Sequence, residues 1–170
     1  MRLLLSAALT TLAAGSSLAA EAIVSIDIPQ LNVAEYHRPY VALWIESADG
    51  GKITNLAVWY DTKLKDNEGT KWLKDMRQWW RRTGRELTMP ADGLSSPTRA
   101  PGTHQIKFES NAKPLSQLAP GDYQLVVEAA REVGGRELLR VPFVWPPKAP
   151  VTHDMNGESE LGTVSFKLTP

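Results

Sequence analysis

Three histidines, His37, His104 and His153, are the side chains in this sequence best suited to hold a metal ion, and there is no cysteine to join them. A metal site built on one helix needs two imidazoles a turn apart, as in H-x-x-x-H, and these three lie far from one another. The spacing predicts no metal site. A nucleophilic serine at a sharp strand-to-helix turn would carry the pattern G-x-S-x-G, which is missing, and a Cys–His pair is excluded. Gly134-Gly135 falls between two strand-like runs and not ahead of a helix, so it is not a phosphate loop. No acid–base pair stands out, and the sequence predicts no catalytic residue.

Binding chemistry is better represented. Six tryptophans offer either large core anchors or rings on which sugars stack. Trp44 and Trp59 lie inside strongly apolar runs, which favours the core. Lysines and arginines flank the aromatic residues between Lys71 and Thr83, a pattern that suits anionic lipid or an acidic partner. The competing reading packs the tryptophan face on the protein and leaves the basic face in water, and it is preferred because an apolar stripe must be buried somewhere. A surface-binding module for anionic lipid or carbohydrate stays open as an alternative.

The elements that would carry these residues are mostly strands. Ala22, Val24, Ile26 and Ile28 alternate with polar neighbours, as in a half-buried strand that Pro29 ends. Tyr40 to Glu46 is apolar on both faces, as in a central strand, and Asp49-Gly50-Gly51 turns it back into a partner at Ile53 to Tyr60. At 100° per residue, Trp72, Leu73, Met76, Trp79 and Trp80 fall within an arc of about 120°, which predicts one amphipathic helix over 70–83, capped by Thr70 and ended at Gly84.

Arg85 to Thr103 reads as a long loop, and long loops in compact domains are often functional. Strands resume at His104 to Glu109, at Gln124 to Ala129, at Glu137 to Phe143 after a Val133-Gly134-Gly135 turn, and at Thr163 to Leu168. Trp145 to Ser159 reads as a connection. Pro120-Gly121-Asp122-Tyr123 delivers a tyrosine to the head of a strand, as in a tyrosine corner, whose hydroxyl bonds back to the preceding loop. The pattern predicts an all-β fold, an immunoglobulin-like antiparallel β-sandwich with one inserted helix.

Arg2, the apolar stretch from Leu3 and the small residues ending at Ala19-Ala20 have the layout of a cleavable signal peptide over residues 1–20. The reading is export to the periplasm, with 21–170 as a single domain. Nineteen basic and nineteen acidic residues give no net charge, so nothing in the balance draws the chain to nucleic acid.

The segments His37 to Glu46, Lys71 to Trp79, Thr98 to Gly102 and Glu128 to Glu137, taken in order, resemble the predicted periplasmic proteins of domain of unknown function 2271. The resemblance implies company with PepSY-type membrane proteins and periplasmic FMN transferases. It therefore implies a non-enzymatic accessory or binding component of an extracytoplasmic flavin or redox system, with no transmembrane segment once the signal is removed. It also gives the long loop a sharper meaning: Asp92-Gly93-Leu94-Ser95-Ser96-Pro97-Thr98 is similar to the acceptor stretch on which FMN is attached to a threonine through a phosphoester. On that alternative the chain is a covalent FMN carrier with Thr98 as attachment point and Asp92 as the upstream acid. Ser96-Pro97 stands where the family carries Gly-Ala, and proline fixes φ and removes an amide donor just before the acceptor. No cofactor is expected from the residues themselves; FMN enters through the resemblance alone.

Overall fold

The computed structural model describes residues 20–170, so the signal-peptide reading of residues 1–20 falls almost wholly outside the described residues. Nine strands form two open sheets. They are β1 (Glu21–Ile28), β2 (Tyr40–Ser47), β3 (Ile53–Tyr60), β4 (Ser95–Pro97), β5 (Gly102–Glu109), β6 (Gly121–Ala130), β7 (Arg136–Trp145), β8 (Val151–Asn156) and β9 (Thr163–Thr169). One sheet has the order β5-β1-β9-β8 and the other β4-β3-β2-β6-β7, and they stack as a sandwich.

The alternation in β1 is observed residue by residue: Ala22, Val24, Ile26 and Ile28 are buried and the residues between them are half-exposed. With Val41, Leu43, Leu125, Val127, Phe143 and Phe166 they fill the space between the sheets. The other face of β2 is buried as well. Ala42 and Trp44 join Val58, Tyr60 and Val126 beneath Leu73, Met76 and Trp79 of the helical segment, which forms a third layer. Trp44 and Trp59 are thus both core residues, at 0% and 1% exposure, and neither ring is free to stack on a sugar.

Three expectations need correction. The helix over 70–83 is not continuous: 3₁₀ turns run from Lys65 to Asp75, the backbone leaves the helical region at Met76, and a six-residue α-helix, α1 (Arg77–Arg82), follows. The buried face nevertheless includes three of the predicted residues, Leu73, Met76 and Trp79, carried by the 3₁₀ turns, the break and α1 in turn. Trp72 and Trp80 stop half-buried at its margin.

The long loop 85–103 contains β4, which pairs with β3 in the parallel sense, so the sandwich is not purely antiparallel. The connection 145–159 contains β8, which pairs with β9. Both are short edge strands. The tyrosine-corner bond is present, with Tyr123 Oη donating to the carbonyl of Ala119 at 2.8 Å.

Candidate functional site

Strand register brings Thr98 to a defined place. Val41 pairs with Trp59, so Tyr40 at the start of β2 lies beside Tyr60 at the end of β3. Because β4 runs parallel to β3, its last residue, Pro97, lies beside Tyr60 too. The backbone N–H of Thr98 then donates to the Tyr60 carbonyl at 3.1 Å, which extends the ladder by one bond. The guanidinium of the next residue, Arg99, stands 5.3 Å over the ring of Trp59, a cation–π contact. Thr98 is held through its backbone N–H and half-exposed in side chain. Pro97 fits there because an edge position does not require its missing donor.

A groove of about 480 Å³ opens at this end, where the segment entering β2, the segment leaving β3 and the end of β4 come together. Tyr36, His37, Arg38 and Tyr40 come from the first, Asp61 and Lys63 from the second, and Pro97 and Thr98 from the third. Arg38 and Lys63 supply two fixed positive charges against one from Asp61. The rings of Tyr40 and Tyr60 meet edge to face at 6.2 Å and brace the floor. Burial pushes the phenols of Tyr36 and Tyr40 above their ordinary pKa, so both stay protonated at neutral pH. His37 lies between two carboxylates, Nε2 at 2.8 Å from Glu35 and Nδ1 at 3.5 Å from Glu132.

Gly69 keeps this end closed. A Cβ on Gly69 would come within 1.9 Å of the Asp61 carbonyl oxygen, so the 3₁₀ segment can seat beside the groove only with glycine there.

The other singled-out residues are elsewhere. Asp92 is exposed in the turn before β4, which Ser95 fastens by accepting from Ala91 N at 2.9 Å. Three extended residues separate that turn from Thr98, about 10 Å of strand, so the structure does not bring Asp92 and Thr98 together. His37 is in the groove, His104 lies on β5 with its Nε2 at 2.7 Å from the Ala100 carbonyl, and His153 lies on β8. Among the described residues no three histidine, aspartate or glutamate side chains converge on a possible metal position.

A family model described as a predicted periplasmic protein, DUF2271, matches residues 21–163. The chain belongs to the DUF2271 family. The match covers every strand up to the start of β9, so both sheets and the Thr98 groove lie within the DUF2271 region. No curated protein and no solved structure was found to match the chain. Among the described residues no helix is long and apolar enough to cross a membrane.

Two buried acids of this DUF2271 chain went unnoticed in the sequence. Glu128 on β6, at 0% exposure, accepts the backbone N–H groups of Gln78 and Trp79 at 3.0 and 2.7 Å and a bond from Arg136 at 2.7 Å. Glu160 accepts two bonds from Arg131, at 2.8 and 3.1 Å, and one from Gly135 N at 2.8 Å, tying the β6–β7 hairpin to the β8–β9 connection. The readable signal was an acid inside an apolar run, on the same strand face as Val126 and Ala130.

Proposed function

We propose that this predicted periplasmic protein is a non-catalytic binding component of an extracytoplasmic flavin or redox system, with the groove at Thr98 as its working surface. The observation that supports the reading is the composition of that groove: a half-exposed threonine on a sheet edge, two cations in Arg38 and Lys63, and the phenols of Tyr36 and Tyr40. Two cations at an open groove suit a phosphate or a partner's carboxylates. The groove is open to solvent and lined by strand ends and the segments that adjoin them, which suits recognition of a partner more than enclosure of a reacting substrate. The test is capture from the native envelope with tagged protein. A PepSY-type membrane protein or an FMN transferase should be retained by the wild type and lost with R38E/K63E; equal retention by both would remove the groove from the interface.

A second reading, covalent FMN carriage at Thr98, is favoured by the same threonine's position. In that chemistry Thr98 Oγ1 forms a bond to the phosphorus of an activated flavin phosphate, the donor's leaving group departs, and the hydroxyl proton passes to a base of the transferase. Arg38 and Lys63 would lie beside the resulting phosphodiester. Against it stands Pro97, which replaces the small residue that the family's acceptor stretch carries. Co-expression with an FMN transferase followed by intact-mass measurement decides: the wild type gains one FMN and Thr98→Ala gains none, whereas an unmodified wild type excludes the carrier reading.

A further inference from the structure

The opposite end of the sandwich carries a cleft of a different kind. Tyr40 pairs with Ala130 at the groove end of β2 and β6, and Ser47 pairs with Tyr123 at the far end. There the start of β6, the end of β7, the proline-rich turn Pro146–Pro150 and the start of β8 line an open cleft of about 850 Å³. That volume falls in the range of small-molecule sites, about 300–1,000 Å³, which are walled mainly by apolar groups.

The walls are apolar for identifiable reasons. Tyr123 and Phe143 stack with centroids 5.7 Å apart, both more than nine-tenths buried in the core, and so hold the strands behind the cleft in place. The Tyr123 hydroxyl is already committed to the Ala119 carbonyl, so it adds no free polar group to the cleft. Pro142 and Pro150 are exposed, and Val144 is 57% exposed, an unusual level for a large aliphatic group on a strand.

The charges distinguish what such a surface would hold. Asp122 also lines the neighbouring hollow with Asp49 and Lys52, so it stands on the ridge between the two. Lys148, exposed on the proline-rich turn, is the charged residue that belongs to the cleft alone, and His153 is the remaining titratable side chain on the wall.

We propose that this cleft binds a long-chain carboxylic acid, the alkyl chain lying against Pro142, Val144 and Pro150 and the carboxylate at Lys148. The ligand combines the two properties of the site, an extended apolar wall and a cation at its rim. The site is separate from the Thr98 groove and does not rest on the flavin reading.

Titration calorimetry of the purified protein with octanoate, decanoate and dodecanoate, each below its micelle concentration, tests the proposal. Affinity should rise about fourfold per added methylene until the cleft is filled. Val144→Asp should abolish saturable binding of dodecanoate. Lys148→Glu should weaken dodecanoate at least severalfold and leave dodecanol unchanged. Both positions are exposed, so an unshifted melting temperature for each variant shows that the fold is intact. The proposal fails if dodecanoate gives no saturable heat, if affinity is flat across the series, or if dodecylamine binds as tightly as dodecanoate.

Discussion

The carboxylate of Glu128 accepts the backbone N–H of Trp79 at 2.7 Å across a sequence separation of 49 residues. This bond, with its companion from Gln78, satisfies two donors at the start of α1 that no side chain within the helical segment reaches. It explains why the chain leaves the helical region at Met76: the turn must open for those two amides to face β6. Glu128→Ala should therefore release the helical layer, at a cost of about 2–3 kcal/mol. Urea unfolding should report a lower midpoint, and Arg136→Ala should cost less than Glu128→Ala because the two backbone N–H groups still bond the buried carboxylate.

Arg131 and Glu160 form an ion pair with side-chain exposures of 6% and 4%. Removing one partner strands the other charge, so Arg131→Met should destabilise by about 3–5 kcal/mol. The double variant R131M/E160L should be less damaged than either single one, with a residual cost from the orphaned Gly135 amide. A double-mutant cycle in denaturant measures this coupling.

Gly69→Ala should cost about 1–3 kcal/mol through overpacking. The added methyl meets the Asp61 carbonyl, so the damage should be local to the groove. Backbone amide shifts in an NMR comparison should concentrate on Asp61–Lys63, Tyr40 and Thr98. Shifts spread over the whole chain would contradict a local clash.

Glu137 carries a pH dependence with a definite sign. Burial alone raises its pKa, but the backbone N–H groups of Glu158, Leu161 and Ser159 bond its carboxylate, and together they hold it below the ordinary glutamate range. A folded value below the unfolded one, about 4.3, means that its stabilisation is whole above that pH. It is lost as the pH falls through the lower folded value. Urea midpoints measured from neutral pH downward should show this decline in the wild type, and Glu137→Gln should be less stable at neutral pH with a shallower decline in acid.

The strands with apolar alternation are legible from the order of the residues alone. Ala22 to Ile28 and Thr163 to Leu168 could be read because one face is core and the other solvent. β2 announced its central position through apolar residues on both faces. β4 gave no such signal: Ser95-Ser96-Pro97 has no apolar side chain to bury, and the segment is a strand only because its backbone bonds to β3. β8 was hidden because Val151, His153 and Met155 are only half-buried at a sheet edge. The continuous helix was over-read, since a 3.6-residue period does not register a capping acid that arrives from another element. The groove at Thr98 joins three segments distant in sequence, and only the parallel sense of β4 makes them neighbours.

β4 has one more consequence. Leu56 to Tyr60 is an apolar stretch rich in groups that favour cross-strand pairing, and its outer hydrogen-bonding edge would template the addition of further chains. Three residues ending in a proline occupy that edge along Val58–Tyr60 and offer a poor platform beyond themselves. The segment that presents Thr98 thus doubles as a guard against polymerisation, and loosening it would bare an edge on which further chains could add.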